Sequence, residues 1–294
     1  MINIRKYLIK LLGFSEKDVA LIVHLLLRRT PIIVTGSNSR ENDKFISALL
    51  MFVPFRKKLQ YGVDCVSQEE LNILYDEEKT DLNVPRYLIY VLSQFFTEKL
   101  LRFNIFKGWI ISVPRGSNTV YSYILNKHPD ATLINIAPYN SKVFTPLTKS
   151  DLDLTFEEKL VKKVFVDSKI ITERLLRVLD KRIDKHTLFS EEITNFEEVY
   201  KYISRDVLEE EILKFVHAAK RTLILMSRIK LLRDLSNKNL KISTKTIKTA
   251  VGYDGVPLKT LLNFIKYEWE SDLLDVTSSK KAQILGDWVE SLWT

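Results

Sequence analysis

The chain has 294 residues, 46% of them hydrophobic and 28% charged, with only eight Gly and eight Pro; this is the composition of a globular protein with a real core, and it excludes long low-complexity linkers. A single cysteine, Cys65, excludes an internal disulfide and a cysteine-based zinc site, and the four histidines (His24, His128, His186, His217) form no HxxxH or HExxH pair. The net charge of +8 admits an acidic partner, whether nucleic acid, anionic lipid or an acidic protein face, without choosing among them.

The first apolar stretch, MINIRKYLIKLLGF, is interrupted by Arg5, Lys6 and Lys10 and has no small-residue cleavage site after it, so no signal peptide is expected. No run of about 18 uncharged apolar residues predicts a membrane span. With the lone cysteine, these features make the cytoplasm the expected location.

A first helix is expected over Ile4–Leu12, closed by Gly13. A second starts at Ser15, where Ser15 and Asp18 form a capping box with Asp in place of the usual Glu or Gln. Its residues Val19 to Leu27 are apolar on nearly every side, which calls for deep packing. Pro31–Gly36 (PIIVTG) reads as a buried strand. A polar loop, SNSREND, leads to a helix over Asp43–Val53 with Asn42 or Ser39 as its cap.

Further along, Leu59–Val66 reads as a strand and Gln68–Glu78 as a short acidic helix. Pro85–Phe103 is expected to be helical, although its start, RYLIYVL, fits a strand equally. Gly108–Pro114 and Ala131–Ala137 are strands, and Ser141–Pro146 is the return arm of a hairpin turning near Tyr139-Asn140. Near residue 150 the texture changes to charged sequence of helical period. Helices are expected near Phe156–Val164, Ile170–Arg182, Phe196–Tyr202, Arg205–Leu232, Ser243–Gly252, Pro257–Glu268 and Ser279–Trp293. The fold class is therefore α/β, a mostly parallel sheet with flanking helices over 1–150, followed by an all-helical module over 151–294.

Five features invite chemistry. PIIVTGSNSRENDKF has the strand, glycine and lysine of a phosphate loop, but GxxxxGK[ST] needs a second glycine and a hydroxyl after the lysine, and Phe45 follows Lys44. The carboxylate runs Asp76-Glu77-Glu78, Glu157-Glu158 and Glu209–Glu211 lie in polar, helix-like sequence and read as solvated faces. Cys65 has no histidine partner in sequence and reads as a buried strand residue. The basic stretch Lys214–Lys248 could neutralise phosphates of nucleic acid or lipid, and a solvated helix face is the favoured account of it. The segment KTIKTAVGYDGVPLKTLLNFIKYEW has helix-turn-helix outline, but the apolar Leu258, Leu261, Leu262, Phe264 and Ile265 suit packing better than groove reading.

The order of pieces over residues 5–150 resembles the central module of the DENN family. There a leucine-rich helix, a strand, a polar loop, an ALL-containing helix and a YPF element follow one another, and the counterparts here are LLLRRTPIIVTG, SNSREND, FISALLMF and VPF (Val53–Phe55). GWIISVP, Pro129-Asp130, TLINIA and SKVFTP resemble the family's later strands, with Asn135 and Ala137 where acids are usual. The helical remainder resembles the downstream module of the folliculin-like type.

The resemblance implies a regulator or scaffold that binds a small GTPase, as exchange factor or within a GTPase-activating complex, with no cofactor. The chain begins at the central module, so the resemblance implies either a longin-type partner as a separate subunit or a protein that acts without that part. Partner contacts are expected in the loops after the strands, at Arg40 and Asn42 in Ser37–Asn42 and at Arg115 and Asn118 in Arg115–Thr119. The alternatives are a degenerate P-loop AAA-like ATPase with a helical lid, and a basic nucleic-acid-binding protein using Lys214–Lys248. Peripheral contact with an anionic membrane is compatible with the charge.

Overall fold

The computed structural model of the chain describes residues 3–80, 84–96, 108–114, 126–147, 152–182, 196–236, 242–253, 255–273 and 277–278. The fold is organised by β1 (Ile32–Gly36), whose five residues are all buried. A strand that is apolar on both faces must be covered on both sides, the condition of a parallel sheet between helices. β1 pairs in parallel with β4 (Ile110–Pro114) and with β5 (Thr132–Ile136). The six-stranded sheet has the order β2-β3-β4-β1-β5-β6, with β2 at Lys57–Gln60, β3 at Tyr87–Val91 and β6 at Lys142–Phe144. Only the β5–β6 pair is antiparallel, and it is the hairpin read from SKVFTP. The expected α/β sheet with a helical continuation is thus present. The edge strand β2 exposes Lys57 and Lys58, charges that discourage edge-to-edge pairing.

Ile33, Ile89, Val91, Ile111 and Val113 share one cluster with Leu71 of α3 (Gln68–Thr80) and the buried Trp109. The other side of β1 and β4 is contacted by α2 (Ser39–Leu49), where Phe45 stacks on Phe14 with ring centroids 5.7 Å apart. α1 (Glu16–Leu27) buries seven of its twelve residues. Its Ser15–Asp18 capping box is formed as read: Ser15 Oγ accepts from the Asp18 N–H (3.1 Å), and Asp18 Oδ2 accepts from the Ser15 N–H (2.9 Å). The far end of α1 is closed by Arg56, itself buried, whose guanidinium donates to the carbonyls of Leu26 (2.7 Å) and Leu27 (3.3 Å).

The N-terminal turn, Lys6–Leu11, is wound as a π-helix and is strapped to the β5–β6 turn. The Tyr139 N–H donates to the Leu11 carbonyl (2.9 Å) and the Ser141 N–H to the Leu12 carbonyl (3.0 Å). Gly13 makes this possible: its φ is +72°, and a Cβ there would lie 2.3 Å from the Tyr139 carbonyl carbon.

Some boundaries differ from expectation. RYLIYVL forms β3, not the start of a helix, because it inserts between β2 and β4 as a buried strand; its position in the sheet outweighs local preference. α2 begins at Ser39 and is capped by Asn38, whose Oδ1 accepts from the Arg40 N–H at 2.9 Å, so neither Ser39 nor Asn42 is the cap. Cys65 sits in the turn after β2, bridged to Tyr61, and not within a strand. The pairs of helices expected on either side of Phe165–Lys169 and of Ile203–Ser204 are single helices, α4 (Thr155–Arg182) and α5 (Phe196–Ser236). Neither junction contains Gly or Pro; Ser204 Oγ bonds back to the Lys201 carbonyl (3.1 Å), and just past the first junction Thr172 Oγ1 donates to the Ser168 carbonyl (2.6 Å).

By contact density the chain forms two units, Met1–Ile212 and Leu213–Thr294, the division falling within α5. The first contains the sheet, α1 to α4 and the start of α5. The second contains the rest of α5 with α6 (Thr244–Val251) and α7 (Leu258–Trp269). Ser243 caps α6 by accepting from the Thr246 N–H (3.1 Å), and Gly252 ends it in the left-handed region. The five apolar residues Leu258, Leu261, Leu262, Phe264 and Ile265 of α7 are all buried, and Phe264 packs edge-on against Phe215 and Trp269. That use of α7 is packing, as its composition indicated. The expected helix Ser279–Trp293 lies outside the described residues.

Candidate functional site

Parallel strands deliver their carboxyl ends to one edge of the sheet, the usual place for ligands in open α/β folds. At that edge Ser37 to Arg40 are exposed, so Arg40 is available to a partner. Asn42 is not: it is fully buried, and neither its amide nitrogen nor its amide oxygen has a hydrogen-bond partner. It lies against Gly36, where a Cβ would come 2.5 Å from Asn42 Oδ1 and 2.9 Å from the Ile136 carbonyl. Asn42 therefore fills the space under the loop and cannot serve as a direct surface contact. Arg115 and Asn118 lie outside the described residues.

Beneath the loop is a hydrogen-bonded cluster that the sequence did not single out. Asp43 Oδ1 accepts from both the N–H of Ser93 (2.9 Å) and its Oγ (2.8 Å). Ser93 Oγ is 2.6 Å from Ser112 Oγ and 3.3 Å from the Ser39 carbonyl. The first turn of α2, the end of β3 and the middle of β4 are thereby tied together. If GxxxxGK[ST] is laid on the chain from Gly36, Glu41 takes the second glycine, Asn42 the lysine and Asp43 the hydroxyl. A carboxylate stands where a hydroxyl would hold magnesium, and a neutral amide where an ammonium would reach phosphate. These residues can fasten the sheet edge, but they repel a phosphate instead of cradling it.

The second region is the outer face of α4. One side of this helix packs on α1, where the buried Glu157 meets His24 Nδ1 at 2.9 Å. Val166 and Ile170 are exposed on the side away from Glu157, while Ile171, Leu175 and Val178 are exposed further along the helix, within about 60° of the Glu157 direction. A groove of about 420 Å³ adjoins Val166 and Ile170, and Arg5, Glu16, Lys162, Phe165, Lys169 and Glu173 complete its lining. The Arg5 guanidinium lies 5.4 Å from the Phe165 ring centroid and forms one wall. Helical spacing sets Val166 and Ile170 one turn apart, but the break expected over Phe165–Lys169 hid the pairing.

The remaining sequence candidates have local roles. Cys65 is buried, and burial, reinforced by the nearby Glu70 and Asp64 carboxylates, pushes its thiol up to about 11; that is the reverse of an activated nucleophile. Glu211 pairs with Lys163 at 2.8 Å. Among the described residues no group of three or more His, Cys, Asp or Glu is placed to hold a metal ion, and no helix is long and apolar enough to cross a membrane. Comparison with family models, with curated proteins and with solved structures found no match.

Proposed function

We propose that this chain is a DENN-like scaffold that binds a small GTPase, with a longin-type protein as a second partner. The observation that carries the reading is the groove beside α4, with Val166 and Ile170 exposed in its wall. Exposed aliphatic side chains in the wall of a groove are a surface suited to a protein partner. The sheet edge supports it from the other side, because Asp43 and Asn42 replace the groups that a nucleotide-hydrolysing loop requires. A regulator of this kind needs no bond-making residues of its own. It acts by binding one conformation of the GTPase better than another.

The test is binding of the full chain to small GTPases, nucleotide-free and loaded, with labelled ATP offered in parallel and a longin-domain protein added in a further arm. The expected result is preference for one state of a GTPase, weakened tenfold or more by Ile170→Asp, with no ATP bound. Micromolar ATP binding by the chain alone overturns the proposal and restores the P-loop alternative. GTPase binding that is unchanged in Ile170→Asp removes the α4 groove as its surface.

A further inference from the structure

The second unit carries a surface that this reading does not use. Along α5, from Lys214 to Leu235, the helix is buried on most of its circumference by Phe215, Ala219, Leu223, Met226 and Ile229 and their neighbours. One narrow strip stays outside: Lys214, His217, Arg221, Ile224, Arg228, Leu231 and Leu235 are all exposed. Their spacing alternates three and four residues, which keeps them on a single line about 30 Å long. Ile224, Leu231 and Leu235 are 49%, 58% and 75% accessible.

The charge of this stretch is of one sign. Between Leu213 and Arg233 the sequence has six Lys or Arg and no Asp or Glu. The first acid beyond, Asp234, is 3.4 Å from the Arg233 guanidinium. Arg221 donates to the Val251 carbonyl (3.3 Å), a contact that fixes its stem without neutralising it. A purely solvated face would have no reason to place its most exposed aliphatic residues in line with its cations. A face for single-stranded nucleic acid would interleave aromatic residues for stacking, and none stands on this strip; a duplex would engage the cations but offers the exposed aliphatic side chains no apolar phase to enter.

We infer that this strip of α5 is a docking surface for an anionic lipid bilayer. Cations at headgroup level and aliphatic side chains reaching the acyl boundary are the two requirements of an interfacial helix, and here they alternate on one line. The strip lies on the second unit and the α4 groove on the first, so the two surfaces can be tested separately.

The experiment is co-sedimentation of the full chain with phosphatidylcholine vesicles, with and without about one third phosphatidylserine. Wild-type protein is expected to pellet with the anionic vesicles only. Arg228→Glu should reduce binding about tenfold, and Leu231→Ser with Leu235→Ser should reduce it at least as much, with an unchanged melting temperature because both sites are exposed. Failure to bind anionic vesicles overturns the inference. So does binding that the double serine variant leaves intact, since attraction by charge alone would then suffice. Tighter binding to duplex DNA than to the vesicles, insensitive to the serine changes, assigns the strip to nucleic acid. A dimer in solution that dissociates in the serine variant assigns it to a second copy of the chain.

Discussion

Ser93 gives both its backbone N–H and its hydroxyl to one oxygen of Asp43, at 2.9 and 2.8 Å. The two residues are fifty positions apart in sequence, and the contact joins the start of α2 to the end of β3. Asp43→Ala leaves the Ser93 N–H without its acceptor under the loop. It is expected to lower stability by about 1–3 kcal/mol, read as a shift in the urea midpoint at unchanged slope. The same variant should bind no nucleotide, because Asn42 and Glu41 still occupy the positions of lysine and glycine.

The two glycines that end helices separate conformational strain from steric collision. Gly13 and Gly252 both have positive φ, +72° and +66°. A Cβ at Gly252 would meet nothing within 4 Å, whereas one at Gly13 would drive into the Tyr139 backbone. Gly252→Ala should therefore cost about 1 kcal/mol, the conformational penalty alone. Gly13→Ala should cost several-fold more, because the N-terminal turn must leave the β5–β6 hairpin. Thermal melts of the two single variants decide the comparison.

The contrast shows which parts of the fold were legible. The sheet could be read because β1, β4 and β5 are short apolar runs bounded by Pro and Gly, and because the Ser15–Asp18 box announces α1. β3 was ambiguous because RYLIYVL has the composition of either a buried strand or a buried helix, and only the space between β2 and β4 decides. The helix breaks near Val164 and Tyr202 were expected from polar residues that prove compatible with continuous helix. At the candidate site, Arg40 was foreseeable as an exposed loop cation. The burial of Asn42 was not, since it depends on Gly36 lying above it, and the Asp43–Ser93–Ser112 cluster depends on which strands become neighbours. The Val166–Ile170 pair in the groove wall was present in the spacing, once α4 is taken as one helix.

Arg56 follows directly after the Val53–Phe55 element. Its guanidinium is 4% of the way to full exposure at residue level and donates to the last carbonyls of α1, which no local motif predicts. Arg56→Met keeps most of the buried volume but strands those carbonyls. A loss of about 3 kcal/mol is expected. Arg56→Lys should recover only part of it, because one ammonium cannot reproduce the planar fork that serves both Leu26 and Leu27. Chemical denaturation of the pair tests this, and equal stability of the lysine variant and the wild type would show that charge, not geometry, is what α1 needs.

Cys65 provides a probe of the turn between β2 and α3. Its thiol is raised from 9.0 to about 11 by burial first, then by Glu70 and Asp64. The raised value means that folding favours the neutral thiol. That contribution is present below the unfolded pKa and is lost as pH rises through about 11. At pH 8 the folded protein then holds about 100-fold less thiolate than an unfolded chain, and alkylation by iodoacetamide should be slower by at least that factor than in urea. Raising the pH from 8 to 10 should speed the native reaction about 100-fold, tracking the thiolate and not global unfolding. A native rate equal to the unfolded one at pH 8 would mean that the turn opens freely. The Tyr61–Cys65 bridge and the Tyr61 hydroxyl bond to the Val66 carbonyl (2.9 Å) would then be too weak to hold the loop closed over the core.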